Sequence, residues 1–359
     1  MKILVVGNAS IKSRGARYYD QSIKLANGLI RNGHNVYFLS DRDLIYSLSQ
    51  FATPGIYGTK AHKAKHISCF FLDVCRHFKP DLIVCVHADF IAPQALLDAR
   101  KILPDVRVAQ FNVDIIFNAH NAKNIESKLP AVDATFITTA GQGLKKFARP
   151  GKRVSYIPNI VDSSIEWPKA FERSDQRHDV FWALRALRGS VPGDRRIEYP
   201  LYLEQNGVKI DYHGMNGKPL LYDARYFEAI NNVKMGLNIS QIWTRGVYDK
   251  AADEDLYFYS SDRIAHYLGS GLLTFITRDH KLEELFAPDK EAVYFDSKEE
   301  LLDKVRYYVK HDEERKRIAK AGWEKAHTHY NERLIAKYLV EATFGKKISE
   351  NYLWPTEAY

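Results

Sequence analysis

Short apolar runs alternate with segments of helical spacing along most of the chain, the rhythm of parallel strands joined by crossover helices. In the first half this pattern predicts strands at 2–7, 35–40, 81–87, 106–112, 134–139 and 153–157. Between the first two, the spacing predicts a helix near 16–32, with Ile23, Ala26, Leu29 and Ile30 on one face and Gly33 in a left-handed C-terminal cap. From about 160 to 178 the pattern gives way to polar and charged residues around Trp167-Pro168, which reads as an interdomain linker. A second series of strands is predicted at 179–184, 208–213, 234–240, 272–277 and 292–296. Ser297-Lys-Glu-Glu300 spells a capping box before a helix carrying Leu301, Leu302, Val305 and Val309, and another helix is predicted from near Asp312 to about Tyr330. The expected organisation is α/β: a first domain over 1–162, a second over 163–330, and a closing helix and tail over 331–359, whose return to the first domain is left open.

The chain has 359 residues, 45% of them hydrophobic and 27% charged, so wholesale disorder is excluded and two ordinary cores are within reach. The formal net charge of +8 changes the list of partners. It suits nucleic acid, an anionic membrane or phosphorylated small molecules. The charge is spread along the chain, without a basic arm or a zinc-finger spelling, which disfavours nucleic acid. Cys69, Cys75 and Cys85 have neither metal spacing nor the count of a disulfide scaffold, and read as small apolar residues in a reducing compartment. No apolar run reaches the roughly 20 residues of a membrane span, and the chain opens on a strand without signal-peptide layout. The expected location is cytoplasmic, with peripheral attachment at the inner face of the membrane as an option.

Parallel sheets bind ligands at the carboxyl ends of their strands, so the loops there are the places to seek chemistry. After the first strand, Gly7-Asn8-Ala-Ser-Ile-Lys12-Ser-Arg14-Gly15 lacks a dinucleotide fingerprint but offers hydroxyls and cations before a helix start, suited to a phosphate or an acceptor; a solvated loop is the alternative. After the third comes His87-Ala-Asp89, and after the fourth Asn112-Val-Asp114. These could supply a general base or grip sugar hydroxyls, unless Asp89 or Asp114 simply caps the next helix. His-x-Asp finds no third metal ligand at fixed spacing, and no metal is expected. In the second half, Arg185, Arg188, Arg195 and Arg196 with Gly189 and Gly193 suit a diphosphate, since guanidinium forks match its oxygens. Gly214 and Ser240, at two further strand ends, join this donor-binding set. The segment Ser260-Ser261-Asp262-Arg263-Ile-Ala-His266 offers a helix N-cap with free backbone N–H groups, and Arg263 and His266 on one face.

Residues 233–342 resemble the C-terminal domain of GT-B-fold glycosyltransferases, in the spore-maturation-protein CgeB-like branch. The resemblance rests on Ser261, Arg263, Leu268 and Gly271, on Leu282-Glu-Glu-Leu-Phe286, on Glu313 and Arg315, and on His327-Thr-His-Tyr330. Tyr156-Ile-Pro-Asn-Ile-Val-Asp162 is similar to the segment that closes the first domain in family-4-like members. The resemblance implies two Rossmann-like domains whose parallel sheets face across a cleft, and metal-independent transfer of a sugar from a UDP- or GDP-sugar, with no permanently bound cofactor. The acceptor would be a hydroxyl of a glycan, a lipid-linked sugar or a cell-envelope precursor. Arg185, Arg188 and Arg263 would hold the diphosphate, His266 the ribose, and Asp114, Asp89 or His87 would act on the acceptor. Two departures stand out: His266 and Phe258 occupy the positions of the family's paired glutamates, and Asn112 that of a sugar-contacting histidine. The alternatives are an epimerase or hydrolase of the same fold, and a degenerate, non-catalytic sugar-nucleotide-binding protein.

Overall fold

The computed structural model describes residues 1–10, 20–50, 60–184, 193–243 and 250–359. The chain divides into two compact units, Met1–Ile160 with Glu332–Tyr359, and Val161–Asn331. In the first, six strands, β1 (Lys2–Val6), β2 (Asn35–Leu39), β3 (Leu82–Val86), β4 (Arg107–Asn112), β5 (Ala134–Ile137) and β6 (Arg153–Tyr156), form a parallel sheet of order β2-β1-β3-β4-β5-β6. Helices α1 (Gln21–Arg31), α2 (Asp41–Gln50), α3 (Lys60–Phe78), α4 (Pro93–Ile102) and α5 (Ala119–Lys128) fill the crossovers. The second unit has β7 (His178–Ala183), β8 (Ile210–His213), β9 (Val233–Asn238), β10 (Leu273–Thr277) and β11 (Val293–Phe295), parallel in the order β11-β10-β9-β7-β8. Its helices are α6 (Arg195–Gln205), α7 (Ala224–Ile230), α8 (Asp253–Leu256), α9 (Arg263–Gly269), α10 (Lys298–Lys310) and α11 (Asp312–His329). The last helix, α12 (Glu332–Thr343), belongs to the first unit.

Burial explains why these runs are strands. β3 and β10 are buried at every position, as expected of parallel strands covered on both faces, and their Val, Ile, Leu and Phe residues suit a pleated surface. The Ser297 hydroxyl caps α10 by accepting from the Glu300 N–H at 3.1 Å, as the capping box predicts. In α1 the buried face differs from the predicted one. Ile30 is 55% exposed, whereas Lys24 and Gly28 are buried. The reason is α12, which packs along α1, so the apolar stripe is not the only face covered. The stretch 160–178, expected as an interdomain linker, starts at the boundary between the units but packs within the second: Ile165, Ala170 and Phe171 are buried, and the Ala170 N–H donates to the Ser270 carbonyl at 3.0 Å.

The chain's final residues pair with the β6 edge. Val154 and Tyr359 exchange both backbone bonds at 3.0 Å, and Arg153 donates to the Thr356 carbonyl at 3.1 Å. Trp354 is buried beside Tyr338 and Tyr352. That edge is thereby closed to strand addition, while β2 forms the other edge. No helix among the described residues is long and apolar enough to cross a membrane.

Candidate functional site

In the first unit the carboxyl ends of β2, β3 and β4 bring charged groups together. Asp41-Arg42-Asp43 follows β2, and the Arg42 guanidinium pairs with the Asp89 carboxylate beyond β3. The other Asp89 oxygen accepts from the Asn124 amide of α5 at 2.9 Å, and Lys128, fully enclosed one turn on, donates to that same amide's oxygen. Burial pushes the Asp89 carboxyl up, but Arg42, His87 and Lys128 outweigh it and hold the group below its ordinary value. Asp41 is driven the other way: burial raises it, and neighbouring Asp89 adds to the rise, although the Phe90 N–H donates to it at 3.1 Å. Burial lowers Lys128.

His87 and Asp114 stand at the rim of this network. His87 Nε2 lies 3.9 Å from the Asp114 carboxylate, which is half exposed, and the Val113 N–H points at the same nitrogen from 3.4 Å. His87 and Ala88 have φ of 57° and 45°, two successive non-glycine residues in the left-handed region. Such backbone is costly unless its surroundings enforce it, and it concentrates at functional sites. Here the His87 N–H is fixed to the Phe111 carbonyl at 3.0 Å. Neither Asp89 nor Asp114 caps a helix: Ala92 precedes α4, and Asn118 caps α5 by accepting from the His120 N–H. Asn112 is buried and accepts from the Asp114 N–H at 2.8 Å, so it shapes the turn that presents Asp114. Gly7 donates to the Leu39 carbonyl, and the Asn8 side chain accepts from the Ser10 N–H at 3.0 Å. Arg14 and Gly15, with Lys12, lie outside the described residues.

In the second unit the strand ends are tied together by polar side chains. Arg263 at the start of α9 donates to the Ile239 carbonyl at 2.8 Å and the Ala183 carbonyl at 3.3 Å, with its guanidinium 4.9 Å from the Trp182 ring centre. It thus bridges the ends of β9 and β7. Asn238 donates to the Ser260 hydroxyl at 3.0 Å, and the Ser261 N–H donates to the Ser240 hydroxyl at 3.2 Å. Asp262 stands at the N-cap of α9, but its side chain accepts no capping bond. His266 is buried, edge-on to Tyr226 and Phe227, with Nε2 3.8 Å from buried Glu166.

At the start of α6, Asp194 caps the helix and holds the Arg196 guanidinium, which also reaches Gln241 at 3.2 Å. Arg195 pairs with Asp279, after β10, at 2.6 Å. Gly214 ends β8 with φ +77°, and a Cβ there would sit 2.4 Å from the Leu184 carbonyl, so only glycine fits. Arg185, Arg188 and Gly189 lie outside the described residues. Asp41, Arg42, Asn124 and Lys128, and here Asn238, Gln241 and Asp279, stand at these strand ends beyond the residues expected from sequence. The Asp-Arg-Asp run directly after a strand was the available signal for the first two. Other residues behind the family resemblance turn out to pack the domain. Arg315 is wholly buried on the Lys234 carbonyl and Gln176, His327 bonds the Gly269 carbonyl at 2.7 Å, and Tyr330 donates to the Leu285 carbonyl.

A family model described as glycosyl transferase-like matches residues 173–341. Among solved structures, sucrose-phosphate synthase from Thermosynechococcus elongatus is similar with a TM-score of 0.58 and 11% identity, over 96% of this chain and 98% of that one. Anabaena Alr3699/HepE in complex with UDP-glucose gives 0.58 at 13% identity, over 96% and 100% of the two chains. The lipopolysaccharide outer core galactosyltransferase WaaB gives 0.57 at 12% identity, over 96% and 99%. No curated protein sequence matches the chain. Residues 173–341 match a glycosyl transferase-like domain, and the chain shares the GT-B fold of the solved structures it resembles.

Proposed function

We propose that the protein transfers a sugar from a nucleotide-diphosphate sugar to a hydroxyl of a glycan, lipid-linked or cell-envelope acceptor. The observation that carries this reading is the match of the glycosyl transferase-like model to residues 173–341, which take in most of the second unit and the polar residues Arg196, Gly214, Ser240, Ser260, Ser261 and Arg263. The UDP-glucose complex of the similar Anabaena protein makes UDP-sugars the first donors to try, with GDP-sugars beside them. In this reading Arg185 and Arg188 meet the diphosphate. Arg263 and His266 stand behind the nucleotide as positioning residues, because their polar groups face protein neighbours. Transfer runs without a bound metal, and side-chain cations and backbone N–H groups stabilise the departing diphosphate.

On the acceptor side, His87 takes the hydroxyl proton and Asp114 steadies the imidazolium that results. Support comes from the 3.9 Å approach and the enforced left-handed backbone that presents His87. Asp89 is a poorer base, because Arg42 and Asn124 already occupy its oxygens.

The test is a thermal-shift panel of nucleoside diphosphates and nucleotide sugars, followed by product analysis with the best ligand. A true donor at a hundredfold excess over its dissociation constant stabilises the native state by about 2.7 kcal/mol. Turnover is expected to persist in EDTA and to fall about 10²-fold or more in His87→Ala, with the donor shift retained. No shift with any nucleotide would refute the assignment. Free sugar or an epimer in place of a transfer product would mark the hydrolase or epimerase instead.

A further inference from the structure

We infer that the face formed by α3 and the β2 edge of the first unit is a docking surface for an anionic lipid bilayer. Tyr37 on β2 and Phe70, Val74 and Phe78 on α3 line an apolar groove of about 490 Å³, completed by Asp73 and His77. Tyr37 is 40% and Phe70 42% exposed, and the Tyr37 and Phe78 rings lie 5.6 Å apart. Single exposed apolar residues are ordinary on a surface, but aromatics gathered into one groove on a sheet edge are a feature of interaction sites.

The charge around the groove selects the occupant. Among the described side chains of α3 the exposed positions are Lys65, His66, Cys69, Phe70, Asp73, Arg76 and His77, a three- and four-residue spacing that places them on one face. Ile67, Phe71 and Cys75 form the buried face. Lys65 therefore stands near one end of the exposed stripe and Arg76 near the other, with Phe70 between them. Among these positions the acid, Asp73, is paired with Arg76 at 2.6 Å. The bias extends to the unit as a whole: residues 1–160 and 332–359 hold 26 Lys and Arg against 15 Asp and Glu, whereas 161–331 hold 26 against 29. Aromatic side chains flanked by cations are the combination that enters the interface of a bilayer, with rings among the upper acyl chains and cations on the headgroups. A second copy of this chain is disfavoured, because a two-fold contact would set one basic rim against the other.

The experiment is co-sedimentation of the full chain with vesicles of phosphatidylcholine alone and of phosphatidylcholine with phosphatidylglycerol, at low and high salt. Cys69 sits within the stripe and is exposed while the other two thiols are buried, so a polarity-sensitive thiol dye there reports contact directly. Expected are binding to the anionic vesicles only, loss of binding with salt, and a blue shift of the dye. Phe70→Glu and Arg76→Glu are each expected to weaken binding about tenfold or more. Both side chains are exposed, and an unchanged melting temperature and nucleotide response show that the variants stay folded. No sedimentation with anionic vesicles at low salt, or undiminished sedimentation of both variants, overturns the proposal. So does a wild-type dimer in light scattering that Phe70→Glu converts to a monomer, since the groove is then a contact between copies.

Discussion

Asp89 and Asp41 show how a single network drives two carboxyls in opposite directions. Asp89 is held below its ordinary value of 3.8 because Arg42, His87 and Lys128 outweigh the burial that would raise it. A carboxyl depressed on folding adds stability that is fully present above its unfolded pKa and disappears as pH falls through the lower, folded one. Arg42 is about one-third exposed, so solvent screens part of the pair. Asp89→Asn is therefore expected to cost about 1–3 kcal/mol near neutral pH, the range of a charge-assisted hydrogen bond. That gap should close in urea unfolding at a pH below the folded-state value of Asp89, itself under 3.8, where both forms lack the charge. An equal gap at both pH values would show that the asparagine harms packing rather than charge. Raised Asp41 has the opposite sign: its ionisation on rising pH removes stability, so Asp41→Asn should flatten the profile between 3.8 and the raised folded value.

At the scale of elements, the contact between α1 and α12 is a tight junction in the first unit. A Cβ on Gly28 would lie 2.0 Å from the Glu332 carbonyl oxygen and 3.0 Å from the Ala336 Cβ. Arg31 meets Glu332 at 2.6 Å, and Asn32 donates to the Arg333 carbonyl at 2.8 Å. Gly28→Ala must push backbone away from backbone, so it is expected to lower stability by about 1–3 kcal/mol, with Gly28→Val costing more. A melting temperature unchanged in Gly28→Ala would show that the helices separate freely. This junction also marks where the sequence ceases to be legible. The eleven strands among the described residues stand within a few residues of their predicted places, because runs such as Leu82–Val86 leave a buried parallel strand little alternative. The burial of Lys24 and Gly28 depends on a helix some three hundred residues further along the chain, beyond the reach of any local pattern. The same holds at the candidate sites. Strand-end loops can be read from spacing, whereas Lys128 is a buried cation in a helix with no apolar stripe, and only the fold brings it beneath Asp89.

For the whole molecule, the consequence is that the chain order and the folding units differ. Residues 332–359 complete the first unit after the second has been traversed. In α12, Ile335, Tyr338, Leu339, Val340 and two alanines are buried, with Tyr338 edge-on to Phe136 of β5 at 6.0 Å. At about 1.5–3 kcal/mol for each large apolar side chain, their removal forfeits roughly 10 kcal/mol. That is comparable with the entire stability of a domain, about 5–15 kcal/mol. Residues 1–160 alone should therefore fail to fold, and should regain near-ultraviolet circular dichroism and a cooperative melt when 332–359 is fused behind them through a flexible linker. Residues 161–331 contain their own core around Trp182, Leu237, Phe275 and Ile318, and should melt cooperatively on their own. If the donor binds where the glycosyl transferase-like match lies, this fragment keeps the nucleotide thermal shift while the fused first unit shows none. A shift seen only with the intact chain would mean instead that donor binding needs residues of both units, and the assignment of the donor to the second unit alone would have to be abandoned.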